Sequence, residues 1–140
     1  MTASDRPTFF IDWCLGKSVA SALIVAGAKV EHHGDHFAQN MLDVNWLPIV
    51  GDRGWIVLTK DQALGTNELE LRAIASANVK VFSLVSGNLT RQQMAALFAK
   101  SLNQLEKFAK GNQAPFIAKV YRNGRVQLWR SQTQLLKLLD

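Results

Sequence analysis

Three aspartates have the residue type and spacing expected of a site that acts on phosphate esters. Asp12 ends the first apolar run, Asp43 opens a helical segment, and Asp61 follows the strand-like stretch Trp-Ile-Val-Leu-Thr at residues 55–59. Carboxylates that converge repel one another, and a hard divalent cation relieves that repulsion. All-oxygen ligation with retained waters favours Mg²⁺ or Mn²⁺, which can stabilise charge on a phosphoryl oxygen and activate water for attack.

Each aspartate also has a simpler structural interpretation. Asp12 could cap the helix that follows it, Asp43 is a good N-cap for its own helix, and Asp61 could pair with Lys60. For Asp43 taken alone, capping is the favoured role. Because all three are expected at one edge of the same sheet, the metal interpretation is favoured for the set.

The sequence Gly16-Lys17-Ser18 has the ending of a phosphate-binding P-loop. Such a loop needs a glycine five positions earlier, so that successive backbone N–H groups can turn toward phosphate. That position is Ile11, which cannot supply the turn. Lys17 and Ser18 are therefore predicted to open a helix with an apolar face made of Val19, Ala22, Leu23 and Ala26.

Two further acidic segments are candidates for the site. Glu31-His32-His33-Gly34-Asp35-His36 has metal-ligand residue types, but zinc sites use one helix face or tight Cys/His knuckles, and the chain has no second such cluster. We interpret it as a strand end with solvated histidines and keep Asp35 as a candidate further carboxylate. Glu68 and Glu70 lie at a predicted helix start, where capping and the helix dipole explain them.

The elements that must position these residues follow from the hydrophobic periodicity. Apolar, β-branched runs predict strands at 9–12, 29–33, 55–59, 79–85, 116–122 and 125–129, the last two joined by an Asn-Gly turn. Helical spacing and capping signals predict helices at 17–27, within 43–53, at 67–77, at 90–110 and at 132–139. Alternating strands and helices with nearly all-apolar strands indicate a three-layer α/β/α domain with a mainly parallel sheet and a C-terminal β-hairpin. In such folds the site forms beyond the carboxyl ends of the strands.

Composition limits the class of protein. With 140 residues, 48% hydrophobic and 19% charged, the chain is expected to be one globular domain over residues 1–140. No apolar run reaches the ~18 residues that span a bilayer, and residues 1–7 lack the layout of a signal peptide. The single cysteine, Cys14, fits a reducing cytoplasm, so we expect a cytoplasmic protein without a membrane segment.

The charge is distributed unevenly along the chain. Residues 1–79 contain six Lys/Arg and nine Asp/Glu, whereas residues 80–140 contain ten Lys/Arg and two Asp/Glu. A carboxylate-rich half beside a basic half suggests a metal site next to a surface for a polyanion. Solubility alone would explain the same distribution, and composition does not separate the two.

The motifs in their order resemble a known family. Phe-Phe-Ile-Asp12-x-x-Leu-Gly, then Asp43 ahead of a helix, then Trp-Ile-Val-Leu-Thr-Lys-Asp61, are similar to the compact PIN-like nucleases, including those grouped with VapC-type toxins. The likeness continues through residues 67–70, the strand at 79–85 and the segment from Phe116, so it covers most of the chain. Its most specific piece is the ending Val-Leu-Thr-Lys-Asp61.

This resemblance implies a metal-dependent endoribonuclease, usually the toxin half of a toxin–antitoxin pair. Asp12, Asp43 and Asp61 would hold Mg²⁺ or Mn²⁺, a water would attack the scissile phosphate, and Thr59 and Lys60 would support Asp61. Larger PIN domains carry a further acid, commonly a glutamate on an intervening helix. It has no clear counterpart here, although Asp35 and Glu68 are candidates. The implied partners are RNA and a cognate antitoxin protein, and a homodimer is left open.

The basic half of the chain, residues 80–140, would then bind the RNA. Around the predicted hairpin, arginine and lysine alternate with Tyr121 and Trp129, which suits single-stranded RNA through phosphate contacts and base stacking. The alternative is an edge hairpin protected by positive charge. The predicted RNA-binding residues are Lys119, Arg122, Arg125 and Arg130.

Two other functions compete with the nuclease. A phosphoacceptor signalling domain also places aspartates after the first and third strands. Such domains resemble one another in having paired acids at the first strand, whereas Asp12 stands between Ile11 and Trp13. They also have a lysine at the end of the fifth strand, whereas Lys119 lies inside a predicted hairpin strand. The second competitor is a catalytically inert RNA-binding or regulatory module of the same fold.

Overall fold

The computed structural model describes residues 6–85 and 88–140 of the chain. The strands are β1 (Thr8–Ile11), β2 (Lys29–His32), β3 (Ile56–Thr59), β4 (Lys80–Val85), β5 (Phe116–Tyr121) and β6 (Val126–Arg130). The helices are α1 (Lys17–Val25), α2 (Asp43–Asp52), α3 (Glu68–Ala77), α4 (Arg91–Gly111) and α5 (Gln132–Lys137). Short 3-10 turns occupy Trp13–Leu15, His33–Asp35 and Gln62–Gly65. The predicted alternation of strands and helices is confirmed.

One sheet organises the molecule. Its strands lie in the order β2-β1-β3-β4-β5-β6; the first five are parallel and β6 runs antiparallel to β5. Ile11 lies beside both His32 and Leu58, and Thr59 lies beside Ser83. The segments that follow β1, β2 and β3 therefore emerge at one edge of the sheet, which we call the carboxyl edge. The predicted mainly parallel sheet with a C-terminal hairpin is confirmed.

Two cores lie on opposite faces of the sheet. Phe9 and Ile11 face the core shared with α1 and α4, whereas Phe10 between them faces the core shared with α2, α3 and α5. This alternation follows from the two-residue period of a strand. All three side chains are fully buried, and each contributes roughly 1.5–3 kcal/mol to folding. The sheet is thereby held rigidly between two helical layers.

Close packing of α2 on α3 depends on a glycine. A Cβ added at Gly51 would lie 2.3 Å from the backbone oxygen of Ala77 and 2.8 Å from its Cβ. No side chain fits in that space, so a larger residue would have to push the two helices apart. The relative position of α2 and α3 is therefore set by the absence of a side chain at Gly51.

The C-terminal hairpin is fastened to the turn that follows β3. The ring of Trp129 covers Gly65, where an added Cβ would lie 2.1 Å from Trp129 Cζ3. Arg130 donates from Nε and Nη2 to the backbone oxygen of Gly65, at 3.1 and 2.9 Å. This pair of contacts fixes the 3-10 turn Gln62–Gly65 against the far end of the sheet.

Across the part of the chain that the structure describes, no helix combines the length and apolar character needed to cross a membrane. The expectation about a signal peptide rests on residues 1–7, of which residues 1–5 lie outside the described residues.

Gly51→Ala is expected to destabilise the protein by roughly 1–3 kcal/mol, because the new methyl group overpacks the α2–α3 contact. Gly111→Ala is the matched control, since nothing lies within 4 Å of its added Cβ, and it should leave stability unchanged or slightly raised. Urea unfolding of both variants checks this, and equal losses would contradict the packing account.

Candidate carboxylate active site

Asp12 is held by hydrogen bonds to both of its carboxylate oxygens. Oδ1 accepts from the backbone N–H of Trp13 at 2.8 Å, and Oδ2 accepts from the Thr59 hydroxyl at 2.7 Å. The thiol of Cys14 lies 3.6 Å from the same Oδ2. Asp12 does cap the 3-10 turn that follows it, as the simpler interpretation allowed, yet the second oxygen is oriented by a neighbouring strand. The side chain is 7% exposed, so its orientation is fixed by the fold.

Thr59 connects Asp12 with Asp61. Its hydroxyl donates to Asp12 and accepts from the backbone N–H of Asp61 at 3.0 Å, and the residue is fully buried. Asp61 Oδ1 in turn accepts from the N–H of Ala63 at 2.9 Å. Thr59 therefore supports the carboxylate of Asp12 and the main chain of Asp61. Lys60 is exposed, and no ion pair joins it to Asp61 in the structure.

Asp43 comes to the same region from α2. It is the first residue of that helix, and the N-cap position belongs to Leu42. The indole Nε1–H of Trp46 donates to Asp43 Oδ1 at 3.0 Å, and Trp46 itself is fully buried. The carboxylate of Asp43 is thus oriented by a rigid aromatic side chain one turn farther along the helix.

A fourth carboxylate, Glu70, lies against Asp43. Its Oε2 is buried and has no hydrogen-bond partner among the described residues. The carboxyl of Asp43 lies within hydrogen-bonding reach of Glu70, and a bond between the two exists only when one of them holds a proton. Two acceptors that face each other across a partly buried contact leave a place for a proton or a cation.

Burial and mutual repulsion shift the ionisation of this pair. Burial, followed by the charge of Asp12, raises the pKa of Asp43 to about 6, while the Trp46 hydrogen bond and the Asp61 charge act with smaller weight in opposite directions. Burial, followed by the charges of Asp43 and Asp61, raises the pKa of Glu70 to about 7. Asp12, Asp43, Asp61 and Glu70 thus form one electrostatic cluster, which we call the carboxylate cluster.

The carboxylate cluster fits a hydrated divalent ion better than a tight chelate. Within residues 6–85 and 88–140, no three His, Cys, Asp or Glu side chains form a group that holds a metal ion by themselves. Mg²⁺ keeps several waters and commonly takes only one or two protein carboxylates. The unpartnered Glu70 oxygen beside Asp43, with further negative charge from Asp12 and Asp61, is a donor set of that kind.

Comparison with known proteins identifies the family. The family model described as "PIN like domain" matches residues 7–86, which is more than half of the chain and contains the whole carboxylate cluster. The chain belongs to the PIN-like domain family. A protein of Mycobacterium tuberculosis (strain ATCC 25618 / H37Rv) named "Putative ribonuclease VapC45" is 28% identical over 123 residues, covering 84% of this chain and 88% of that protein. No solved structure matches the chain significantly.

Asp35 and Glu68 are the candidates for the further acidic residue that larger PIN domains carry. The structure places neither of them in the carboxylate cluster. Asp35 is exposed on the β2 side, where its charge acts on His32 and is not among those that shift the pKa of Asp43 or Glu70. Glu68 is exposed and pairs with Arg72 at 3.1 Å, one turn along α3. The side chain that reaches Asp43 is Glu70 instead.

Helical spacing contained a signal for Glu70 that the capping interpretation concealed. Glu70 lies four residues before Ile74 and next to Leu71, both of which are buried, so it belongs to the inward face of α3. Asn67 accepts a bond from the N–H of Glu70, but the N–H of Asn67 donates to Ala63 rather than to Glu70. Only half of the capping box forms, and the glutamate side chain is left to the site.

The predicted RNA-binding residues fall into two groups. Lys119 lies 4.2 Å from the Trp129 ring centre, and Arg130 is occupied with Gly65. Arg125 lies over Tyr121 at 4.4 Å, and Arg122 shares with it a shallow hollow at the end of β5. This hollow is on the carboxyl edge, two strands and therefore ~10 Å from the Asp61 side. Arg122 and Arg125 are the members available to a ligand.

Metal-free protein is expected to lose stability as the pH rises from about 4 to 8. The folded-state pKa values of Asp43 and Glu70, about 6 and about 7, lie above the ordinary 3.8 and 4.5. Stability from this pair is therefore complete below pH ~4, falls progressively between pH ~4 and pH ~7, and levels off at higher pH. His32 and His33, whose pKa burial lowers, act in the opposite direction. The difference between wild type and Glu70→Gln isolates the pair.

The measurement is thermal unfolding of wild type, Glu70→Gln and Glu68→Gln across this pH range, with and without Mg²⁺. Mg²⁺ should raise the melting temperature of wild type by a few degrees at pH ~8 and leave it unchanged at pH ~5. Glu68→Gln should behave as wild type. If the melting temperature of Glu70→Gln depends on pH in the same way as that of wild type, Asp43 and Glu70 do not repel each other.

Proposed function

We propose that this PIN-like domain is a metal-dependent endoribonuclease that hydrolyses phosphodiester bonds in RNA at the carboxylate cluster. The observation that supports it most is the partly buried contact of Asp43 with Glu70, whose buried Oε2 has no donor among the described residues. Polar groups in a fold are normally paired, and an unpaired buried carboxylate oxygen indicates a missing ion or proton. The name of the mycobacterial relative, a ribonuclease, supports RNA as the substrate.

The residues of the carboxylate cluster and their supports would have different roles in the reaction. Asp12, Asp43, Asp61 and Glu70 would hold Mg²⁺ or Mn²⁺, one or two of them directly and the others through its waters; when bound, the ion neutralises phosphate charge and lowers the pKa of water. Thr59 keeps Oδ2 of Asp12 directed into the site, and Trp46 does the same for Asp43. Glu70 Oε2, which has no hydrogen-bond donor of its own among the described residues, would hold the attacking water and accept its proton.

The biological setting is proposed from the resemblance of the sequence motifs to VapC-type toxins. On that resemblance the protein would be a toxin controlled by a cognate antitoxin protein in the cytoplasm. Leu42 and Leu69 are 65% and 70% exposed, and each directly precedes a member of the cluster, Asp43 and Glu70. An antitoxin segment that covered these two leucines would also block access to the carboxylates.

Cleavage of a mixed RNA pool in the presence of Mg²⁺ or Mn²⁺ should be lowered about 10²–10⁴-fold by Asp12→Asn and by Glu70→Gln. Glu68→Gln is the matched control on the same helix, and it should cleave as wild type because its side chain pairs with Arg72 in solvent. EDTA should abolish cleavage in every variant.

Equal activity of Glu70→Gln and Glu68→Gln would remove Glu70 from the site. Folded wild-type protein that cleaves none of a diverse set of RNAs with either metal would favour the inert RNA-binding module. Circular dichroism of each variant checks that lost activity is not lost fold.

Replacing Arg122 and Arg125 together by Ala should weaken binding of single-stranded RNA and reduce its salt dependence. Each lost phosphate contact lowers the slope of log K against log salt by about 0.7. The matched control replaces Lys29 and Lys107, two exposed cations away from the hairpin, with the same change in net charge. Fluorescence anisotropy in EDTA measures both, and an unchanged slope in the arginine variant would refute the hairpin as an RNA surface.

A further inference from the structure

A tryptophan is held in an exposed position directly beside Asp12. Trp13 is 40% exposed, and its ring centre lies 5.9 Å from that of His32 and 6.0 Å from that of His33. A Cβ added at Gly34 would lie 2.7 Å from Trp13 Cζ3, so the ring rests on that glycine. The indole is thus supported from one side and open to solvent on the other, which is the arrangement of a stacking platform.

His32, beneath this tryptophan, has an unused hydrogen-bond donor. Its Nδ1 accepts from the backbone N–H of Gly34 at 3.1 Å, which places the proton of the neutral ring on Nε2. Nε2 is buried without a partner among the described residues, and the residue is only 6% exposed. A buried donor with no acceptor is destabilising, so a ligand that accepts from it would be favoured.

His32 also lines a small groove between α1 and β2. The groove has a volume of about 220 Å³, and its polar lining is Lys17, Ser21, His32 and Asp35. Lys17 is the first residue of α1, and neither an ion pair nor a side-chain hydrogen bond joins it to another described residue. Gly16 before it supplies no side-chain cap to the first turn of α1.

These features lie next to the carboxylate cluster, on the side away from the hairpin. His32 pairs in register with Ile11, the residue before Asp12, and the Asp12 charge acts on both His32 and His33. An RNA strand that enters over the basic hairpin and passes the carboxylates would continue across β1 and β2 onto Trp13. Adjacent strands are ~4.8 Å apart, so this is the position of the next nucleotide or two.

We propose that Trp13, His32 and Lys17 form a nucleotide-binding subsite for single-stranded RNA. One base stacks on the indole of Trp13, and the phosphate of that nucleotide is bound by the Lys17 ammonium and His32 Nε2–H. Asp35 repels a phosphate placed close to it but accepts a hydrogen bond from a ribose 2′-hydroxyl, the group that distinguishes RNA from DNA. The subsite rests on the proposed function for its substrate class, and binding tests it without cleavage.

The experiment is fluorescence anisotropy with a labelled single-stranded oligoribonucleotide of about ten nucleotides, in EDTA. Trp13→Ala should weaken binding about 5- to 100-fold, whereas Trp13→Phe, which keeps an aromatic face, should retain most of it. Lys17→Met should lower the salt slope by about 0.7, and Lys29→Met at the opposite end of β2 should not. The oligodeoxynucleotide of the same sequence should bind more weakly than the RNA.

Each contrary result has a defined meaning. Unchanged binding by Trp13→Ala, or a loss in Trp13→Phe as large as in Trp13→Ala, would overturn the stacking subsite while cleavage at the carboxylates could still stand. No binding of the oligoribonucleotide by wild type would overturn the subsite as well. Trp13-dependent binding by a protein that cleaves nothing would support the subsite and refute only the nuclease.

Discussion

The repulsion among four carboxylates at one edge of the sheet is the constraint on which the site depends. Separated in an unfolded chain, Asp12, Asp43, Asp61 and Glu70 would ionise independently. Folding brings them into one partly buried region, where the pKa values of Asp43 and Glu70 rise to about 6 and about 7. An arrangement that opposes its own ionisation lowers stability, and the proposed divalent cation would relieve that repulsion.

The fold resists this repulsion with rigid supports. Thr59 links β3 to the segment after β1 by its hydrogen bond to Asp12. Trp46 is fully buried and donates to Asp43. Gly51 lets α2 approach α3 closely, which brings Asp43 near Glu70. Trp129 and Arg130 fasten the turn after Asp61 to the hairpin. Shared hydrogen bonds and close packing of the surrounding elements therefore hold the carboxylates in place, as a catalytic site would require.

The sequence was sufficient for the strands and helices, because these depend on local patterns. Two-residue and helical periodicities locate the strands and helices, and a parallel sheet necessarily brings Asp12 and Asp61 to one edge. The contact of Glu70 with Asp43 could not be predicted, because a capping motif explained Glu70 locally and the contact depends on the distance to another helix. The bond of Arg130 to Gly65 could not be predicted either, since it crosses 65 residues of sequence.

If the carboxylate cluster binds a divalent cation, as proposed, the indole of Trp46 should report the binding directly. Trp46 Nε1–H donates to Asp43, so its resonance in a proton–nitrogen correlation spectrum senses the charge state of that carboxylate. Titration with Mg²⁺ near pH 8 should shift this resonance saturably in wild type, with little change at Trp55, which precedes β3 at the opposite edge of the sheet. A Trp46 resonance that does not move at millimolar Mg²⁺ would contradict the account.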